Sequence, residues 1–243
     1  GVTVNGIIAT VSGNQFVANH IPLIEGQNTI TAIATDAEGN TDRNSIIVNA
    51  VTTGNYIRLT ANPESGISPL EATLKIDGTF GFESSSISYR GPGGVEWLSS
   101  SVDEYRVRLT AEGIHTFTAN VRGPDGNIIY QDTVAIVVQN RDYLDALLKK
   151  KWDDMKAALM RGDVEGAVGY FVAGSRDKYR QSLTQLGSDR INSIFSNISE
   201  IRLYTAYGQV AECGAIRSEA GGAYSYPVTF VKDENGIWRI MGF

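Results

Sequence analysis

Two histidines, one cysteine, an acidic turn and a basic run are the residues of this chain best suited to chemistry, and none is accompanied by the partners that chemistry requires. His20 and His115 lie far apart on separate strand-rich stretches. Zinc and most transition metals need three or more protein ligands close together, so each histidine reads as a surface or core residue and no metal site is expected. Cys213, the only cysteine, precedes Gly214 with no histidine nearby in sequence to make it a thiolate, so a packed, inert thiol is expected rather than a nucleophile. It excludes an intrachain disulfide and fits either redox compartment. Asp36-Ala37-Glu38-Gly39-Asn40-Thr41-Asp42 spaces oxygen-bearing side chains as a calcium loop would. It lacks the bidentate glutamate of an EF-hand, so a hairpin turn is expected, with Gly39 or Asn40 left-handed and Asp36 bonding local amides. Lys149-Lys150-Lys151, beside Asp153 and Asp154, reads as a solvated face rather than a phosphate site. Trp97, in Gly94-Val95-Glu96-Trp97-Leu98, suits a sugar-stacking platform or a sandwich core, and both readings stay open. No catalytic motif appears and no cofactor is implied.

The elements that would position these residues change character near residue 140. Before it, short β-rich runs alternate with Gly, Asn and Asp; after it come amphipathic helices and then four strands. With 243 residues the chain has room for two or three domains. Its net charge of −6 is divided as −3 over residues 1–52, −4 over 53–140 and +1 over 141–243. Acidic β units disfavour a nucleic-acid surface, which needs clustered Lys and Arg. No apolar run approaches the roughly 18 residues that span a bilayer, and no signal peptide opens the chain. Because it starts on Gly1-Val2-Thr3-Val4 rather than Met, it is read as a processed or excised piece of something longer.

Residues 1–52 form the first expected unit. Val2–Val4 and Ile7–Val11 flank Asn5-Gly6, a pair that favours a type I′ hairpin, and strands are expected over Gln15–Ala18, Asn28–Thr35 and Ser45–Val51. The run Val4-Asn5-Gly6, Phe16, Pro22 to Ile30 and Ala34 to Asn40 resembles the bacterial Ig-like modules of surface proteins and carbohydrate-active enzymes. Such sandwiches need about seven strands. Only five are read here, so either opening strands lie upstream of Gly1 or the unit leans on its neighbour.

Residues 54–139 form a second sandwich, with strands expected over 56–61, 71–76, 86–89, 104–110, 115–122 and 128–138. Pro63 and Pro69 mark a loop between the first two, and Pro124-Asp125-Gly126-Asn127 marks a turn. Pro63 to Leu70 and Gly113 to Gly126 resemble the ends of a polycystic-kidney-disease (PKD) type domain, although Tyr89-Arg90-Gly91-Pro92-Gly93-Gly94 stands where its Trp-Asp-Phe-Gly-Asp-Gly centre belongs. The resemblance implies a spacer or adhesion module.

Residues 141–243 form an α+β unit. Leu144, Leu148, Trp152, Met155 and Leu159 recur at helical spacing after an Asp142 cap, and Gly162 and Asp163 end one helix and start the next, which buries Val164, Ala167, Val168 and Phe171. Ser175 is read as the cap of a third segment that Gly187 stops, and a fourth runs from Ser188 to Ile198. Strands are expected over 201–207, 209–219, 223–232 and 236–242, joined by turns that include Ala220-Gly221-Gly222. The Trp152 helix, Arg161 to Ala167 with Tyr170-Phe171, the Tyr179 segment and Phe230 to Ile240 resemble the nuclear-transport-factor-2-like superfamily, home of ketosteroid isomerase and polyketide cyclases. The fold class expected is therefore multidomain: two all-β Ig-like or PKD-like sandwiches, then an α+β cone of helices on a curved antiparallel sheet.

In that superfamily, isomerases set a carboxylate base and a phenol or acid in one apolar pocket. Glu212, sharing strand parity with Val210 and Ile216, is the best-placed carboxylate, and Tyr170, Tyr224 and Tyr226 are its candidate companions; Arg217 has the opposite parity. The alternative puts Glu212 in solvent and the tyrosines in a core or interface. The expectation drawn is a non-catalytic module of a bacterial secreted, cell-surface or periplasmic protein, whose sandwiches present the terminal cone to a ligand or protein partner. Homodimerisation through the C-terminal sheet is a secondary expectation. An isomerase or cyclase acting on a hydrophobic ring, and glycan binding by the β units, are the rivals.

Overall fold

The computed structural model describes residues 1–123, 125, 127–219 and 222–243. Two turns expected from sequence, at Pro124 to Asn127 and at Ala220 to Gly222, fall partly outside the described residues. The chain divides into two compact units, residues 1–140 with 234–236, and residues 141–233 with 237–243. Among the described residues no helix is long and apolar enough to cross a membrane.

In the first unit, β1 (Val2–Val4) and β2 (Ile7–Ile8) meet at Asn5-Gly6, both at positive φ, as the type I′ pair requires. The run expected to continue to Val11 breaks at buried Ala9, whose amide donates to Val2. Beyond Ala9 the chain forms a separate hairpin, β3 (Thr10–Ser12) with β4 (Gln15–Val17). The long ribbon of β5 (Gly26–Thr35) and β6 (Thr41–Ala50) completes a sheet in the order β2-β1-β5-β6. Between β5 and β6, Asp36 accepts from the Asn40 amide and side chain at 2.8 Å each and Gly39 is left-handed (φ 90°), the turn expected there. Those side-chain and amide bonds hold the Asp36 carboxyl below its ordinary range.

The sandwich expected after residue 53 is present. One sheet runs β11-β12-β9-β7, from β7 (Ile57–Asn62), β9 (Leu70–Gly78), β11 (Val95–Ser100) and β12 (Glu104–Leu109). Against it lie β10 (Ser85–Arg90), β13 (Gly113–Arg122) and β14 (Ile128–Gln139), with β8 (Ser65–Ile67) added parallel to β14. Leu59, Leu74, Val107 and Leu109 from one sheet meet Phe117, Ala119, Val134 and Ile136 from the other, all fully buried. Two strands lie where none was expected. Pro63 and Pro69 flank β8 rather than interrupt it, so neither removes a ladder donor from within the strand. β11 is an edge strand with a bulge between Trp97 and Ser99 that breaks its alternation. Trp97 itself is 45% exposed and packs edge-on against Tyr105 and Phe117.

In the second unit, α1 (Arg141–Met160) buries the expected stripe, and Asp163 caps α2 (Val164–Val168) by accepting from the Gly166 amide. Phe171 is buried beyond the end of α2, where it bridges to Ile240. α3 (Ala173–Ser196) comes next, broken at Gly187 by φ 72°, so the third and fourth segments join there as one kinked element. Its N-cap is Val172; Ser175 instead donates its hydroxyl to the Met241 carbonyl. Four strands, β15 (Ile198–Tyr207), β16 (Val210–Glu219), β17 (Gly222–Lys232) and β18 (Trp238–Gly242), form an antiparallel meander. Helices pack on one face of it, α1 and α3 against β15, and Leu144, Leu148, Trp152 and Phe195 of the helices and Leu203, Ala211, Cys213, Phe230 and Ile240 of the sheet are all buried.

His115 is fully buried in the sandwich, its Nε2 bonded to the Ala111 carbonyl at 2.8 Å and its Nδ1 to the Tyr89 hydroxyl at 3.0 Å. Nε2 therefore donates, so in the neutral ring Nδ1 is the acceptor. Burial pulls its pKa below 6.5, opposed by the Ala111 bond. The unfolded chain then binds the extra proton first, so His115 contributes stability above about pH 6.5 that is lost as the pH falls. Melting of the β-rich unit is expected to drop between about pH 7.5 and 5.5, and His115→Asn, though less stable at the upper pH, to show a shallower drop. Equal slopes for the two proteins would contradict this role.

Candidate functional site

The α+β sheet has two chemically different faces, and cross-strand register decides which side chains share each. Residues directly opposite in an antiparallel pair project to the same face. Cys213 opposes Leu203 and Val228, and Ala211 opposes Ala206 and Phe230, all buried, so these positions define the helix-covered face. Ala215 opposes Tyr226 and Arg217 opposes Tyr224 on that same face. Glu212 opposes Thr205 and Thr229 and therefore projects from the other, open face, where it is exposed.

The four candidate residues are accordingly not assembled into one group. Tyr224 and Tyr226 stand together, two residues apart on β17, 48% and 44% exposed. Glu212 lies on the opposite side of the sheet. Tyr170 sits on the loop after α2, where its carbonyl accepts the Ile240 amide at 2.9 Å. Since Ile240 pairs with Phe230, Tyr170 is about 13 to 20 Å along β17 from the two tyrosines at 3.3 Å per residue.

Arg217 is the companion the tyrosines do have. It faces Tyr224 directly across the β16–β17 ladder and is half-buried. Tyrosine rings supply flat, amphipathic contact area with a polar tip, and arginine is a residue type often found beside them in recognition surfaces. Strand parity alone sets Arg217 opposite in sense to Glu212, but its grouping with the tyrosines depends on the pairing register, which the sequence does not display. Lys232 carries no signal in the sequence either. Its Nζ lies 5.5 Å over the Trp238 ring, and burial pulls its pKa down to about 8.

The basic run of α1 differs in part from expectation. Lys149 pairs with Asp145 at 2.7 Å and Lys150 with Asp154 at 2.8 Å, one helical turn away in each case. Lys151 turns inward, where burial first and the nearby Arg239 second lower its pKa. Arg239 is itself held by Asp233 at 3.0 Å and by the Gly169 carbonyl at 3.2 Å. Cys213 is buried, its thiol pushed up to about 12 chiefly by burial, and so is a poor nucleophile at neutral pH. Among the described residues no group of three His, Cys, Asp or Glu side chains converges as metal ligands would.

On the open face the sheet is shaped by a bulge and a glycine. β15 is irregular between Leu203 and Thr205. There α1 supplies ligands to the backbone of Leu203: its amide donates to Asp145 at 3.0 Å and its carbonyl accepts from Arg141 at 2.6 Å. Tyr204, the extra residue, lies across Gly214 and exchanges a hydrogen bond with Ser225 at 2.7 Å. A Cβ on Gly214 would collide with the Tyr204 ring and the Ser225 hydroxyl.

No protein-family model matches the chain, and no curated protein sequence matches it.

Gly214→Ala is expected to dislodge Tyr204 and destabilise the α+β unit by about 1–3 kcal/mol. Tyr204→Phe, which keeps the ring and loses one exposed bond, is expected to cost under about 1 kcal/mol. Denaturant melts of the two variants check this; equal and negligible losses would mean that the tyrosine does not occupy the glycine's surface.

Proposed function

We propose that this chain is a non-catalytic module of a bacterial secreted, cell-surface or periplasmic protein, in which Ig-like and PKD-like sandwiches act as spacers and present a nuclear-transport-factor-2-like unit to a ligand or protein partner. The observation that carries the reading is the split of Glu212 from Tyr224 and Tyr226 onto opposite faces of one sheet. An isomerase of that superfamily needs its base and its hydrogen-bond donor on the same bound atom framework, within about 3 Å of the groups they serve. Exposed tyrosines beside a half-buried arginine are instead the residue types that dominate recognition surfaces. The localisation rests on the resemblance of the β units to exported modules, and the glycan reading rests on Trp97, which offers only part of its ring to solvent.

A β,γ-unsaturated ketosteroid offered to the whole chain is the direct test of the enzymatic rival. No conversion above the buffer rate is expected, with Glu212→Gln indistinguishable from the parent; turnover that disappears in Glu212→Gln would replace this proposal with an isomerase. Titrating an oligosaccharide panel against tryptophan emission separates the glycan reading. No change that Trp97→Phe removes is expected.

A further inference from the structure

Lys151 is the one cation of the basic run that α1 does not send into solvent. It follows Leu148 by three residues and precedes Met155 by four, so it shares the helix stripe defined by those two fully buried side chains. Its neighbours leave that stripe and find carboxylates one turn away, Lys149 on Asp145 and Lys150 on Asp154. Lys151 is half-buried, and among the described residues no carboxylate stands at ion-pair distance from its ammonium.

The charges that act on this ammonium do not cancel it. They are the cations Arg239 and Lys150 and the carboxylates Asp233 and Asp154. Both carboxylates are committed elsewhere: Asp154 holds Lys150 at 2.8 Å, and Asp233 accepts from Arg239 Nε at 3.0 Å and from the Ile237 amide at 2.9 Å. Arg239 also donates Nη1 to the Gly169 carbonyl at 3.2 Å, so its guanidinium is fixed from two sides and Nη2 is left over among the described residues. Lys150 with Asp154 and Arg239 with Asp233 each sum to zero. Lys151 remains as one uncompensated positive charge beside a second cation. Desolvating an unpaired charge is costly. The Lys151 pKa carries that cost: burial first and Arg239 second lower it, against the pull of Asp233 and Asp154.

We propose that Lys151 and Arg239 form a binding site for the carboxylate group of a small ligand. One negative charge completes the balance of the cluster. The Lys151 ammonium serves one carboxylate oxygen, and Arg239 Nη2, which neither Asp233 nor Gly169 engages, serves the other. A phosphate dianion brings a second charge, which Asp233 and Asp154 repel, so the cluster fits a carboxylate better. The site is separate from the tyrosine group. Arg239 pairs with Val231, seven residues along β17 from Tyr224 and five from Tyr226, roughly 16 to 23 Å at 3.3 Å per residue. It therefore stands whether or not the tyrosines meet a partner.

Acetate titrated into the whole chain, with chloride lowered in step to hold ionic strength and pH constant, tests this by nuclear magnetic resonance. The ε-methylene signal of Lys151 is expected to move saturably, and its titration midpoint to rise by at least about half a pH unit, because a bound anion favours the ammonium. Acetate is also expected to raise the melting temperature relative to chloride. Lys151→Met, which keeps the length of the side chain and removes the unpaired charge, is expected to melt no lower than the parent in chloride and to lose the acetate-dependent rise. Phosphate is expected to bind no more tightly than acetate. A Lys151 signal that acetate leaves in place overturns the site, even if the variant fails to fold. So does an acetate-dependent rise that Lys151→Met retains in full. Tighter binding of phosphate than of acetate overturns the assignment to a carboxylate.

Discussion

Successive side chains of a β-strand leave on opposite faces, and this one constraint governs what the α+β unit can do. Once Cys213 is set against Leu203 and Val228 under the helices, every other residue of β16 and β17 has its side assigned. Ala211, Ala215 and Arg217 share the inward side with Cys213; Glu212 cannot. Slipping the register by one residue to bring Glu212 in would expel Ala211, Cys213 and Ala215 from the core together. The carboxylate is thus kept outside by the apolar contacts of its neighbours.

The helices hold that register in place. α1 contributes its buried stripe, and Arg141 and Asp145 at its start occupy the carbonyl and amide of Leu203 at the bulge of β15. Lys156, further along the same helix, donates to the Ile198 carbonyl at 2.7 Å. Bulges re-aim side chains, and here Tyr204 is turned flat across Gly214, covering a strip of backbone that has no side chain of its own. The far end of the helix-covered face is left with Arg217, Tyr224 and Tyr226, the polar and aromatic group on which the binding proposal rests.

Much of this was legible in the residues, for identifiable reasons. The α1 stripe, the Gly162-Asp163 joint and the break at Gly187 arise from helical spacing and from glycine's access to positive φ, both local properties. The Asn5-Gly6 hairpin and the Asp36 turn are local too. What stayed hidden depends on distant partners. β8 is made a strand by its pairing with the distant β14, and Ser175 is drawn away from a capping role by the Met241 carbonyl. At the candidate site the parity of Glu212 could be read along β16. Its separation from Tyr224 and Tyr226 required the pairing of β16 with β17. Lys151 reads as a solvated cation in sequence and Lys232 carries no signal there; both are desolvated only by the packing around them.

A double-mutant cycle on Glu212 and Tyr226 tests the two-faced sheet most directly. If the residues project from opposite faces, the stability changes of Glu212→Gln and Tyr226→Phe will sum to that of the double variant within about 0.3–0.5 kcal/mol. A coupling of about 1 kcal/mol or more would mean that carboxylate and phenol meet on one side of the sheet, and the arrangement described for the α+β unit would be wrong.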